Sequence, residues 1–383
     1  MNEKLGLFVS LDHNLSLVDL QNANYKGNGI EKKIINQYHC LESFGYKMEM
    51  FCPFASRIHI IHAFFRRLPL YWLRGFGNTY VRRALEFSFI YVRKPWFMDG
   101  NLIVFLWRLK QKNPNLKIIM EYPTYPPGKE ANRMHMIPLV IKDKFWSYFI
   151  RFTASRVLTF SKDNIIDGVK TICTCNAINT ELVRPISGID NKIDEKVHLI
   201  ACSSMAFWHG YDRMMAGILQ FKNAKGSCPV VLHLVGDGEK LEEYKKFVLD
   251  NNLSDNIIIH GFLTGKELDE IYEIADIALD SMGRHRSRIY YNSSLKGKEY
   301  CAKGLPIISG VETELDADKK YKYYLRVPAD DSPIEVNCVI DFYLNIYKGQ
   351  QSRAEVIHSI SEYAKNNFSY RVSMQPLADY INS

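Results

Sequence analysis

The sequence predicts an α/β protein made of two doubly wound, parallel-sheet halves. Three observations predict it. Short β-forming runs alternate with longer helical patterns along almost all of the 383 residues. A Pro/Gly/Asp-rich stretch, RPISGIDNKIDEK at 184–196, interrupts that alternation near the middle and reads as a linker. A second strand–helix series of similar length follows it. The expected domains are 1–185 and 190–365, with a closing helix over 366–383 packing back on the first.

In the first half, strands are expected at LGLFVSL (5–11), KMEMF (47–51), FSFIYV (87–92), LKIIMEY (116–122) and RVLTF (156–160). Between the first two, Ile30, Ile34, Tyr38 and Leu41 recur at the 3.6-residue period of one helix face. The second half opens with VHLIACS (197–203) and a helix carrying Tyr211, Met214, Met215 and Ile218 on one face. VVLHLVG (230–236), a Lys/Glu-rich helix, NIIIHGF (256–262), the helical LDEIYEIA and DIALDS (276–281) continue the alternation. Next comes YNSSLKGKEYCAKGLPIISG (291–310), a helix introduced by serines, ended by Gly304 and followed by Pro306 at a new strand. The final FSYRVSMQPLADYINS reads as an amphipathic helix despite Pro376.

Apolar residues make up 47% and charged ones 24%, a globular profile in a chain long enough to bury large cores without disulfides or metals. The eight cysteines form no C-x-x-C pair, and Cys173 and Cys175 have no further ligand nearby, so no zinc site is expected. No window approaches the roughly 18 apolar residues of a spanning helix. The start, MNEKLGLFVSLDHN, runs straight into a strand, so the reading is cytoplasmic, without a secretory signal.

The net charge of +7 is unevenly spread: between Arg57 and Lys94 eight cations face one acid, Glu86. Phe64, Phe65, Tyr71 and Trp72 are interleaved with them. Arg66, Arg67 and Trp72 suit the lipid headgroup region, which points to peripheral contact with the inner face of a membrane. The same residues also fit a basic helix pair with no partner, and a nucleic-acid groove is set aside.

In open α/β sheets, ligands bind beyond the carboxyl ends of the strands, so the strand exits carry the candidate residues. In YKGNGIEKK (25–33), Gly27, Asn28 and Gly29 allow close backbone approach ahead of a helix N-terminus, although a plain turn has the same composition. In SSMAFWHGYDRM (203–214), His209 and Arg213 stand four apart on one helix face and can donate to phosphate. Arg213 equally suits a pair with Asp212 or Glu239. Gly236 and Gly238 in LVGDGEKLEE suit a tight turn at a strand exit. In the serine-led helix, Ser293 and Ser294 are natural N-caps, so the amides of 293–295, Leu295 included, point outward. Lys296 adds a point charge on the first turn, and Glu299, one turn on, can accept from two hydroxyls of a ribose. A capped surface helix with Lys296 and Glu299 as an i,i+3 pair is the alternative.

SSLKGKEYCAKGLPIIS resembles the signature of the family 4 retaining glycosyltransferases of GT-B fold, a Glu-x7-Glu element ending in E-(Y/A)-x-A-x-G-x-P. Glu299, Ala302, Gly304 and Pro306 match it. FWHGYDR resembles the family's K-G-x-D, LVGDG its V-G-x-G strand, and NIIIHGFLTGKELDEIYEIADIAL its loop–helix–strand run. NGIEKK, EYPTYPPGKE and VLTFSKDN followed by NAIN resemble first-half elements, in the same order. The resemblance implies two Rossmann-like domains facing a central cleft. It also implies a nucleotide-sugar donor, UDP- or GDP-linked, with no other cofactor, and a sugar or lipid-linked sugar acceptor in polysaccharide biosynthesis. Glu299 would then hold the ribose, and Lys296 with the 293–295 amides the diphosphate. Loop 27–29 would close over them. Glu121 is the catalytic candidate; it and Glu130 are the acids nearest the expected cleft, and Tyr122 and Tyr125 are candidate sugar platforms.

Two positions depart from the pattern. The first Glu of the pair is Tyr291, and the family's Arg followed by Lys-Gly is reduced to His209-Gly210 behind serines. Arg213, Arg286 and Lys298 are the cations available to compensate. The D-x-D at Asp316–Asp318 reads as a solvated loop, so a metal-independent transferase is expected. A scaffold protein that has lost turnover is the second reading, and a sugar-nucleotide epimerase the third.

Overall fold

The computed structural model describes residues 4–12, 15–22, 29–53, 75–126, 136–189, 195–348 and 352–383. The chain divides into Met1–Cys175 with Tyr370–Ser383, and Asn176–Ser369. The first boundary lies ahead of the Pro/Gly/Asp-rich stretch because the chain is already tied to the second unit there. The Asn176 N–H donates to Ser293 Oγ at 2.8 Å and its side-chain amide to the Ser293 carbonyl at 2.6 Å. Further on, the Ile186 N–H donates to the Lys303 carbonyl at 3.0 Å.

The first unit contains β1 (Leu5–Val9), α1 (Leu17–Gln21), α2 (Gly29–Ser43), β2 (Lys47–Phe51), α3 (Thr79–Arg82), β3 (Phe89–Arg93) and α4 (Gly100–Lys112). It continues with β4 (Lys117–Tyr122), α5 (Ile137–Ser147) extended by a 3-10 turn (Tyr148–Phe152), β5 (Arg156–Thr159), β6 (Ile165–Ile166) and β7 (Val169–Cys173). The sheet order is β2-β1-β3-β4-β5-β7-β6, parallel except for the β6–β7 hairpin. Its strands are apolar on both faces, as a covered parallel sheet requires. Leu7, Val9, Ile90, Val92, Ile118 and Met120 pack with Leu102, Leu106 and Leu109 of α4. Phe8, Phe89, Tyr91 and Ile119 pack on the other face with Ile34, Tyr38 and Leu41 of α2. Neither β6 nor β7 was legible in the sequence, β6 being only two residues long and β7 half polar.

The second unit contains β8 (Val197–Cys202), α6 (Asp212–Lys225), β9 (Val230–Val235), α7 (Leu241–Asp250), β10 (Ile257–Gly261), α8 (Gly265–Ile274) and β11 (Ile277–Leu279). There follow α9 (Leu295–Lys303), β12 (Ile307–Ser309), β13 (Tyr324–Arg326), α10 (Val336–Tyr347) and α11 (Arg353–Phe368). The order β10-β9-β8-β11-β12-β13 is that of the dinucleotide-binding fold, whose strand order reverses between the first and fourth strands, here β8 and β11. That switch point places the candidate site.

Ser369, extended at φ −64° and ψ 152°, breaks the helical run after α11. The last helix, α12 (Tyr370–Asn382), packs against the first unit. Tyr46 donates to the Ala378 carbonyl at 3.3 Å, and Lys117 to that of Tyr380 at 2.9 Å. Pro376 is tolerated because the carbonyl it leaves without a helix partner is that of Val372, on the exposed side. The eight cysteines are free. Among the described residues no helix is long and apolar enough to cross a membrane.

Candidate functional site

The exits of β8 and β11 meet the N-terminus of α9. Ser294 caps that helix: its hydroxyl accepts from the Gly297 N–H at 3.2 Å and donates to Asp280 Oδ1 at 2.9 Å. Lys296, on the first turn, reaches into the strand exits. Its ammonium donates to Tyr211 Oη and Ser281 Oγ, both at 3.2 Å, and stands 3.7 Å from Asp280. Burial pushes Lys296 down to about 8; Asp280 opposes that shift and the Arg284 charge reinforces it. One turn on, half-buried Glu299 accepts from the Tyr272 hydroxyl at 3.3 Å. The helix closes on Gly304 at φ +86°, a left-handed C-cap that glycine adopts without strain. A positive helix end, a partly desolvated lysine and a carboxylate one turn away can together hold a diester or diphosphate with a neighbouring diol.

His209 lies beside this group, on the β8 exit. Its Nδ1 sits 3.1 Å from Ser203 Oγ, and burial together with the Lys296 and Arg284 charges pushes its pKa down to about 2. It is therefore a neutral hydrogen-bonding group and not a cation. Arg284 was missed in the sequence. It opens a short 3-10 turn after β11, its guanidinium is 5.9 Å from the Trp208 ring centre, and its charge acts on both Lys296 and His209. The signal was present in the cluster Arg284-His285-Arg286-Ser287-Arg288, but sequence cannot tell which arginine of a tight turn faces inward.

The cations expected to compensate for His209 are engaged elsewhere. Arg213 is 1% exposed and clamps loops: Nε donates to the Ser332 carbonyl at 2.7 Å, Nη1 to that of Met282 at 2.6 Å, and Nη2 to Asp330 at 3.3 Å. Arg286 forks onto Asp212 at 2.9 and 2.7 Å and donates to Asp331 at 2.7 Å. Lys298 is buried against Glu314 and the Phe368 ring. Gly236 has a structural reason of its own: at φ +131° its bare face is filled by the Ser203 carbonyl, so the glycine serves contact between two strand exits. Ser293 is buried and taken by Asn176. Tyr291 bridges to Glu312, and Leu295 keeps its partly exposed place on the first turn of α9. Asp316 and Asp318 serve local turns, accepting from the Thr313 and Lys320 N–H groups at 2.7 and 3.0 Å.

In the first unit, Gly27, Asn28, Arg66, Arg67, Trp72 and Glu130 lie outside the described residues. Gly29 opens α2, and among the described residues nothing lies within 4 Å of where its side chain would start. Glu121, the catalytic candidate, is 0% exposed. It accepts from Arg93 at 2.6 Å, from Gln37 at 2.9 Å and from the Tyr91 hydroxyl, with Lys33 at 3.3 Å. Burial raises its pKa, but Lys33, Arg93 and these hydrogen bonds outweigh it and hold the carboxyl at about 2. A carboxylate so enclosed joins α2, β3 and β4 and offers no oxygen to a ligand, which corrects the catalytic reading. Tyr122 is buried with its hydroxyl on Asp167, so of the two sugar platforms only half-buried Tyr125, edge-on to Tyr122 at 6.0 Å, faces outward in part. The described cations of the 57–94 segment are largely spent within the protein: Arg83 on Glu49 and Glu86, Arg93 on Glu121, Lys94 on Asp143.

The model of the family Glycosyl transferases group 1 matches residues 192–309, which run from β8 to β12 and include Lys296 and Glu299. No curated protein matches the chain. Among solved structures, a glycosyltransferase from Rickettsia africae is similar at 12% identity, over 100% of this chain and 98% of that one, with a TM-score of 0.60. HepE of Anabaena in complex with UDP is similar at 13% identity, over 99% of both chains, with a TM-score of 0.58. A sucrose-phosphate synthase from Thermosynechococcus elongatus is similar at 14% identity, over 99% of both, with a TM-score of 0.59. Likeness at these identities is likeness of fold, and with the strand orders above it gives the conclusion that the chain has the GT-B fold: two Rossmann-like, doubly wound parallel-sheet domains.

Proposed function

We propose that the chain is a glycosyltransferase that moves a sugar, with retention of configuration, from a UDP- or GDP-linked donor to a sugar or lipid-linked sugar in polysaccharide biosynthesis. It would work in the cytoplasm, at the inner face of the membrane. One observation carries the reading: at the β8/β11 switch point, Lys296 and the α9 N-terminus converge, with Glu299 one turn on. Support comes from the family model over 192–309 and from the UDP named with the similar HepE structure. In this reading Glu299 takes the ribose hydroxyls. Lys296, Arg284 and the α9 amides stabilise the departing diphosphate by fixed positive charge, without a metal. Turnover is expected to survive chelation by EDTA, and activity lost to EDTA but restored by Mg²⁺ would overturn the metal-independent part. Thermal shift with UDP, GDP and ADP reads the donor base, and NMR of the anomeric product reads its configuration.

The lysine sets a pH dependence. Because Lys296 is pushed down to about 8 in the unliganded protein, it carries its proton below that pH and loses it above. Affinity for a nucleoside diphosphate is therefore expected to fall as the pH rises through about 8, and binding there to take up a proton. Titration calorimetry in buffers of different ionisation enthalpy reads the uptake; affinity that stays flat through that range removes Lys296 from the site.

A catalytically degenerate binding or scaffold protein is the second reading, favoured by neutral His209 and by Tyr291 in place of an acid. Donor hydrolysis or transfer by the purified chain excludes it.

A further inference from the structure

Helix α5 and the 3-10 turn after it carry a stripe of large, exposed apolar side chains. Ile137, Ile141, Phe145, Tyr148 and Phe152 recur at spacings of four, four, three and four, and each is more than half exposed. The helical period keeps Ile137, Ile141 and Phe145 on one face, and ring contacts carry the stripe on, with Phe149 5.3 Å from Phe145 and 5.5 Å from Tyr148, and Phe152 6.3 Å from Tyr148. A core-facing helix buries such a stripe; this one turns it outward while Leu139 and Ile150 face the protein. The neighbouring helix α4, whose Gly100 lies against the Trp146 ring, adds Val104 and Trp107, each half exposed. Contiguous apolar surface of this kind marks an interaction site.

The exposed charges that these two helices and the turn carry have one sign. Lys144 and Arg151 flank the stripe, and Arg151 stacks over the Tyr148 ring at 3.9 Å. Arg108 and Lys112 stand exposed on α4, which has no acid of its own. Asp143 is the one acid between 137 and 152, and it is taken by Lys94 at 2.6 Å and by the Met98 N–H at 2.8 Å. We propose that the Ile137–Phe152 face, with Val104, Trp107 and their cations, is the surface by which this protein docks on an anionic phospholipid bilayer. Aromatic and aliphatic side chains enter the headgroup boundary while lysine and arginine meet lipid phosphate. A second copy of the chain fits less well, since pairing this face with itself would oppose Lys144, Arg151 and Arg108 to their own kind. The inference deepens the membrane-facing part of the proposed function and rests on a surface separate in sequence from Arg66, Arg67 and Trp72, which lie outside the described residues.

Flotation of the full chain with phosphatidylcholine vesicles, with and without phosphatidylglycerol, tests it. Wild type is expected to float with the anionic vesicles, less so at high salt, and to stay behind with phosphatidylcholine alone. Phe145→Ser with Ile141→Ser, and separately Lys144→Glu with Arg151→Glu, are each expected to lower vesicle affinity by about tenfold or more. All four side chains are exposed, so far-UV circular dichroism and the thermal unfolding midpoint should stay at the wild-type values and report folding independently of lipid and of nucleotide. Equal flotation of wild type and both double variants would overturn the proposal, as would absence of wild-type flotation. So would sedimentation velocity showing a dimer that Phe145→Ser dissociates. Because vesicle binding is read without turnover, failure of the transferase reading leaves this result standing, and the reverse.

Discussion

Lys296→Ala is expected to weaken binding of a nucleoside diphosphate by about 2 kcal/mol, roughly thirtyfold in Kd, the loss of a charged hydrogen bond to phosphate. His209→Ala is expected to cost at most about 1 kcal/mol, the worth of a neutral hydrogen bond. The asymmetry follows from the environments of the two groups. His209 is held neutral by burial and by the nearby Lys296 and Arg284 charges, so it brings no positive charge to an anion. Lys296 also feels burial, but Asp280 at 3.7 Å resists the shift and keeps its proton available near neutral pH. An arriving diphosphate would favour the charged form further. Calorimetric titration with UDP and GDP measures both variants. Equal losses would mean that the anion sits on the β8 exit and not at the start of α9.

The second large effect is on stability. Glu121→Gln is expected to destabilise the first unit by about 3 kcal/mol, the usual consequence of removing one member of a buried ion cluster. Glutamine can still accept from Tyr91, but Arg93 and Lys33 lose their counter-charge. Lys33, pushed down to about 8 by burial, escapes part of the penalty by releasing its proton; Arg93 has no such route. Acid should act in the same direction. Glu121 is held at about 2 in the fold against an ordinary 4.5, so its contribution is present above about 4.5 and is lost as the pH falls toward 2. Urea unfolding at neutral pH reads the change in midpoint. An unchanged midpoint with turnover abolished would return Glu121 to a catalytic role.

These two residues show how much of the site was legible in the sequence. Ser294, Lys296, Glu299 and Gly304 lie on one helix, so caps, turn spacing and the positive helix end follow from local sequence alone. Arg213, Arg286 and Lys298 were the cations that the sequence offered to compensate for His209. They proved to be engaged by Ser332, Asp331 and Glu314, groups that lie 119, 45 and 16 residues away along the chain. Arg284 escaped notice because a 3-10 turn, and not the motif, aims its side chain.

The sequence by itself determined the two parallel sheets, most of their strands and the helix that carries the candidate anion site. Period and capping are properties of neighbours in the chain, and they survive folding unchanged. Only the tertiary structure decided which charges remain available. A charge takes its worth from burial and from partners in space, so Glu121 became a tie between α2, β3 and β4, and His209 a neutral donor or acceptor. It also turned the apolar stripe of α5 outward, where helical period alone would have assigned it to a core.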